Sequence, residues 1–406
     1  MTVRERAIYV APESTFSTDP SADGSGYAFV PATSIGDIKD DKGPIRMDYF
    51  TGRNWPFGAI PGVDGGEVEI GFPVVGLSTS AGDGGSPPSD DWYTMLMSGG
   101  LGAPTDVDGE GAASLSTTAL TLDTDAFDVQ DVAILAEAAL PSAAAPRAVA
   151  CPIVGDGADG TYTLKYDPGV AFTGAAVAYG YERYRPAVDQ SNTFALTYVF
   201  NRTTQIALLG CRIAGLTLGV GEAGALEWKA RVMFDRLTIN NGSGAGSMST
   251  KSLLPTPAAP AATPAKSVNV IAILNNAAVA CKSINIDWGL SVEPDASTAG
   301  ANGRAGMRLM DVKPTVTLEP LWAAGYRAAR RQENSDTGIR DVLIQIGGTG
   351  VGGVLNGHVI YFPNMVVMEA APAADGNTQR QTVTFEVDDP ITIGGAAAHP
   401  AQYFRF

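Results

Sequence analysis

Leu226-Glu227-Trp228-Lys229-Ala230-Arg231-Val232-Met233-Phe234 alternates without a break. Leu226, Trp228, Ala230, Val232 and Phe234 fall on one side of an extended chain. Glu227, Lys229, Arg231 and, just beyond, Asp235 fall on the other. Successive Cβ atoms of extended backbone point to opposite sides, so this period of two predicts a long strand with one buried face. The run is entered through Gly219-Val220-Gly221-Glu222. Before it, Phe194, Leu196, Tyr198 and Phe200 alternate with Thr193, Thr197 and Val199 and lead to a turn at 201–204. Residues 206–218 continue as a strand, with Gly210 and Gly215 expected at bulges or bends. A looser echo occupies 268–319. There Asn275-Asn276 suits a hairpin turn. Within 277–290, Ile284, Ile286, Trp288 and Leu290 oppose Ser283, Asn285 and Asp287. Residues 67–75 alternate too, with Val68, Ile70 and Phe72 inward.

The chain has 406 residues, of which 45% are hydrophobic and 17% charged, the balance of a folded protein. Glycine (48) and proline (26) cluster between the strand-like runs, as many short strands joined by long loops require. Lys plus Arg is 27 against 43 for Asp plus Glu, a net charge of −16. That balance argues against a protein that grips a phosphate backbone. It fits simple solubility, and equally a surface that nucleic acid passes without sticking. Cys151, Cys211 and Cys281 are far apart and odd in number, which predicts free thiols in a reducing cytoplasm. No leader pattern opens the chain, and no apolar run approaches the ~20 residues needed to span a bilayer.

Two short helices are expected. One runs over 92–97, capped by Asp90 or Asp91 and ended by Gly99-Gly100. The other is opened by Pro320 and extends to about Arg331. Residues 39–62 form a long loop carrying Tyr49, Phe50, Trp55 and Phe57, which packs on its own domain or docks on a neighbour. Residues 103–165 read as an inserted loop or small peripheral subdomain. They divide the chain into 1–102, the insertion, and 166–406. Residues 295–306 read as a polar loop.

Nothing announces catalysis. His358 and His399 stand alone. Asp123, Asp125, Asp128 and Asp131 lack the sharp-turn glycine and terminal glutamate of a calcium loop, so a solvated loop is expected. Gly347 to Gly353 has no Lys-Ser/Thr after it and opens no helix, which excludes a nucleotide loop. Arg327, Arg330 and Arg331 suit either a solvated helix end or a bridge to an acidic neighbour. We therefore expect no catalytic, cofactor or metal residues.

Three blocks carry a resemblance. The first is Ala7-Ile8-Tyr9-Val10-Ala11-Pro12-Glu13-Ser14-Thr15-Phe16-Ser17-Thr18-Asp19-Pro20, a strand leading into a Glu-x-Thr-aromatic-x-Thr-Asp-Pro turn. The second is 207–234, with Leu-x-Gly-Cys-Arg-Ile and a Gly-Glu hinge before the alternating strand. The third is 283–294 followed by 310–320. In this order they resemble bacteriophage tail tube (major tail) proteins. Residues 103–165, the glycine-rich 346–357 and the tail after Pro390 depart from the compact members, which bears on the outer surface and not the core.

The resemblance implies an all-β fold, a β-sandwich or half-barrel with one or two short helices and long loops, whose sheet continues across subunits into a ring. It implies hexameric rings of identical copies stacked into a tube, other tail proteins as partners, and DNA passing through the lumen without specific binding. It also implies a place in the virion tail after synthesis in the host cytoplasm. On this reading Tyr49, Phe50, Trp55 and Phe57 make contacts between rings. The hairpin 194–209 and strand 226–239 belong to the channel sheet, with Glu227, Lys229 and Arg231 on its polar face. Two rivals stand beside it. One is another virion ring protein, such as a terminator, baseplate or decoration protein. The other is a β-rich polysaccharide hydrolase, which would need paired carboxylates in an aromatic cleft.

Overall fold

The computed structural model describes residues 6–40, 45–47, 57–60, 65–77, 92–116, 118–122, 127–137, 148–157, 160–167, 176–187, 191–200, 204–221, 224–240, 251–257, 265–266, 270–275, 277–297, 303–320, 341–348, 357–375, 378–387, 392–393, 396–397, 399 and 401–406. Their regular structure is almost entirely strand, with one helix, Trp92–Leu101. The expected all-β class holds.

The first layer is a thirteen-stranded sheet organised by one long strand, Thr204–Val220. Its first half pairs with Phe194–Phe200 on one side and Arg236–Asn240 on the other. Its second half changes partners, to Glu227–Phe234 and Cys281–Asp287. The change occurs where the sequence places its glycines. Gly210 has φ of 65°, and the register shifts between Ile213 and Gly215. A Cβ on residue 210 would stand 2.8 Å from the Phe16 ring, so glycine answers both the backbone angle and the close approach. Beyond Cys281–Asp287 the sheet runs through Thr315–Pro320 and Thr378–Val387 to its edge, Met365–Asp375.

The second layer is a seven-stranded sheet. Its middle strands are Val342–Gly347, Gly357–Phe362 and Gln402–Arg405, every described residue of which is buried. Period two splits their side chains between two cores. Ile344, Ile346, Ile360, Phe362 and Tyr403 enter the core between the sheets, with Phe72, Trp228, Ile286 and Trp288 from the first layer. Leu343, Val359, Tyr361 and Phe404 enter a second core on the far side. That core is roofed by the third layer, a closed barrel of six strands between Glu110 and Ala178. Closure removes sheet edges, and Leu120, Ile134, Ile153, Tyr162 and Leu164 fill the interior.

The helix wedges between the first two layers, burying Tyr93, Leu96, Met97 and Leu101. It passes through Gly99-Gly100 where a stop was expected. A Cβ at Gly99 would stand 2.2 Å from the Phe194 ring and one at Gly100 3.1 Å from Ile213, so these glycines serve packing. The stop is Gly102, with φ of 87°.

Pro320 is the last residue of strand Thr315–Pro320, and the helix expected from there to about Arg331, with Arg327, Arg330 and Arg331, lies outside the described residues. Other expectations are corrected. The supposed loop at 295–306 includes the ends of a hairpin, Leu290–Ala296 with Arg304–Val312. Asp235 does not join the polar face of its strand. It falls at the break between Glu227–Phe234 and Arg236–Asn240, is 1% exposed, and receives Arg304 at 3.3 Å. The tail is central, since Gln402–Arg405 lies between Gly357–Phe362 and Tyr181–Tyr184.

Candidate assembly surface

The second half of the first sheet has an open outer face. Cross-strand register lines up Gly71, Lys229, Thr217, Asp287, Thr315 and Glu386 in one row. Pro73, Glu227, Gly219, Asn285, Thr317 and Thr384 form the next. Between these positions Trp228, Ala230, Val232, Ile286, Val316 and Phe385 point into the core. Lys229 and Arg231 are exposed and Glu227 half-buried on this face. Hairpin Phe194–Phe200 with 204–209 differs, because both its faces are covered. Leu196, Tyr198 and Leu208 enter the main core. Ala195 and Leu209 enter a small third core with Tyr9 and Tyr27.

The open face holds its charges in short pairs. Lys39 reaches Glu67 at 2.8 Å, Arg231 reaches the same carboxylate at 3.7 Å, and Ser34 Oγ donates to Glu227 at 3.1 Å. Gly71 makes room for that glutamate, since a Cβ there would lie 2.0 Å from Oε1. A groove runs along the rows, lined by Glu69, Thr217, Lys229, Arg231 and Asp287. Among the described residues of this face, the carboxylates Glu67, Glu69, Glu227, Asp287, Glu319 and Glu386 stand beside the cations Lys39, Lys229 and Arg231. The sheet then ends in strand Met365–Asp375, 11 residues long, which pairs with Thr378–Val387 and with no other described strand. Met368 on it is 60% exposed. Of the loop aromatics, Phe57 begins strand Phe57–Ile60, paired with Ile45–Met47. Tyr49, Phe50 and Trp55 lie outside the described residues.

The quoted motifs have structural work to do on each other. Glu13 accepts from the Gly210 backbone N–H at 2.7 Å and from Thr193 Oγ1 at 2.9 Å, and so binds the kink of the long strand. Burial outweighs these donors and pushes its carboxyl up to about 7. Asp19 binds Nζ of the buried Lys251 at 2.6 Å through both oxygens and accepts from Tyr27 Oη at 3.0 Å. The first two blocks thus meet at Gly210.

Buried polar groups elsewhere join layers. Trp228 Nε1 donates to Tyr93 Oη at 2.7 Å; Tyr93 and Tyr403 hydroxyls are 2.6 Å apart, and Tyr403 is 2.6 Å from His358 Nδ1. Burial holds His358 well below the ordinary imidazole range, so it is neutral. Arg405 reaches Glu182 at 3.2 Å and lies over the Tyr93 ring at 4.4 Å. Asp131, expected in a solvated loop, is wholly buried and binds Arg183 and, at 2.7 Å, Arg185. Sequence reading missed these networks because their members are far apart along the chain. Among the described residues no cluster of His, Cys, Asp or Glu has the geometry of a metal centre. No helix among them is long and apolar enough to cross a membrane.

No curated protein matches the chain. A family model does, over residues 4–388, nearly the whole length and all three motif blocks: phage tail tube protein. The all-β layers, the open sheet and that match agree, and the chain belongs to the phage tail tube protein family.

Proposed function

We propose that this tail structural subunit closes with five copies of itself into a ring, and that rings stack into a tube through which DNA leaves the capsid. The observation that carries the reading is an open acidic sheet ending in the long edge Met365–Asp375. An edge of that length presents a row of unpaired N–H and C=O groups, a liability in a monomer and a joint in a ring. The layer order then sets the radial order. With the face bearing Glu227, Lys229 and Arg231 toward the channel, the two-core sheet is intermediate and the six-stranded barrel lies outside. The segments before Glu110 and after Ala178 build the tube wall, and the barrel between them, offset from the insertion expected at 103–165, decorates it. Phosphate meets a carboxylate-rich wall and gains nothing by binding, so DNA stays mobile. Segment 39–62, with Tyr49, Phe50, Trp55 and Phe57, makes the contact between rings, and other tail proteins cap the ends.

The family is a structural one, and neither catalytic residues nor a cofactor enter this reading. Negative-stain microscopy of the purified protein tests it. Tubes of uniform width with a central channel are expected. A protein that stays monomeric at every concentration overturns it.

A further inference from the structure

Three arginines are buried among the described residues: Arg183, Arg212 and Arg405. Two face a carboxylate, Arg183 at Asp131 and Arg405 at Glu182. Arg212 does not. Its residue is 0% exposed, yet Nη1 donates only to the carbonyls of Asn192 at 3.3 Å and Met307 at 3.2 Å. Nε and Nη2 have no partner. A buried guanidinium normally finds an anion, because desolvation without a counter-charge is among the most costly arrangements in a protein. Burial alone depresses its pKa to about 10.

One of the two carbonyls over Arg212 belongs to a hairpin that continues at its base into Cys281–Asp287 and Thr315–Pro320 of the first sheet. Met307 lies on Arg304–Val312, which pairs only with Leu290–Ala296 among described strands. Leu309 and Leu290 anchor this hairpin in the core, and Arg304 ties it to Asp235 at 3.3 Å. Its own two strands share no ladder with Thr204–Val220, and it carries the half-exposed Met310.

We infer that Arg212 is the docking point for a carboxylate of a second copy of this chain, reached when the Leu290–Val312 hairpin shifts on assembly. The inference rests on the self-assembly proposed above. The acceptor is a carboxylate because the unfilled Nε and Nη2 donors form the edge that binds one in two parallel bonds. A second copy supplies it because the chain is rich in acidic residues and the reading has it surrounded by itself.

Arg212→Met and Arg212→Lys test this, with wild-type assembly as the control for the tube reading. In the free subunit Arg212→Met removes an uncompensated charge, so it melts no lower than wild type. Its critical concentration for assembly rises about 10-fold or more, the loss of one charged bond pair. Arg212→Lys assembles better than the methionine variant. An Arg212→Met subunit that melts lower, or that assembles like wild type, overturns the inference and leaves the tube reading intact. Should the variant not fold, hydrogen exchange on the wild-type protein decides. Residues 304–312 change their exchange between free subunit and tube if the hairpin shifts; unchanged exchange overturns it. A wild-type protein that never assembles instead removes the tube reading itself.

Discussion

The sheet that carries Glu227 and the sheet that carries Phe404 differ in one respect, the number of faces given to the core. Along Glu227–Phe234 burial alternates, and one face is left free for a partner. Along Val342–Gly347, Gly357–Phe362 and Gln402–Arg405 every position is buried, and the two faces serve two cores. The first can build an assembly. The second can only hold one subunit together, since a strand buried on both sides has no surface to offer. Substitutions should therefore divide. Those in the middle sheet should act on folding, and those on the open face on assembly and passage.

The largest effect should come from removing residues 401–406. This deletes the strand between Gly357–Phe362 and Tyr181–Tyr184 and exposes both cores along their seam. We expect no cooperatively unfolding subunit, as read by near-ultraviolet circular dichroism during urea titration. A truncated protein with a native melting transition would show that the two-core sheet is dispensable.

Next come matched arginines. Arg405→Ala leaves Glu182 buried without its counter-charge and should cost about 3–5 kcal/mol. Arg231→Ala, on the open face, should cost less than about 1 kcal/mol. Urea midpoints measure both. Equal losses would erase the distinction between the sheets.

Glu13 sharpens the comparison through pH. Its folded-state pKa, about 7, lies above the ordinary glutamate value of 4.5, so the folded protein binds a proton that the unfolded chain releases. Stability from this group is fully present below pH 4.5 and is lost as pH rises through 7, by on the order of 3 kcal/mol. Glu13→Gln keeps a neutral side chain at the Gly210 kink and should remove that slope. Melting temperatures of wild type and variant at pH 5 and pH 8 should diverge at the higher pH, with the variant ahead. Parallel curves would place the Glu13 carboxyl in the ordinary range.

The smallest effect on stability should come from the open face itself. Glu227→Lys with Asp287→Lys should change the subunit by only about 0.5 kcal/mol per site. Tubes built from the variant should hold duplex DNA at low salt and release it as salt rises, whereas wild-type tubes should not hold it. Retention measured by filter binding that is equal for both would take this face away from the channel.

These contrasts also explain what could be read from the chain. One-sided strands announce themselves, and the alternation from Leu226 to Phe234 located Trp228, Ala230 and Val232 in the core. Two-sided strands lose their alternation. Gln402-Tyr403-Phe404-Arg405 reads as an appendage in the sequence and is a central strand. The barrel was muted for a related reason: Val132–Glu137 and Val149–Asp156 are built of small and apolar residues with little polar contrast. Asp235 was misplaced because the strand breaks after Phe234, where Asp235 N–H bonds the Leu209 carbonyl, and a period cannot be carried across a break. Gly99-Gly100 was misread because a glycine that ends a helix and a glycine that admits a ring look alike in one dimension. The polar face of the candidate surface was legible as a strand pattern, while its edge and layer order needed three dimensions.

A helical reconstruction of tubes grown from the purified protein bears most directly on these relations. It should show Glu227, Asp287 and Glu386 on the channel wall, strand Met365–Asp375 hydrogen-bonded to a neighbouring subunit, and the six-stranded barrel on the outside. A tube whose lumen is lined by the barrel, or whose Met365–Asp375 edge pairs with nothing, would contradict them.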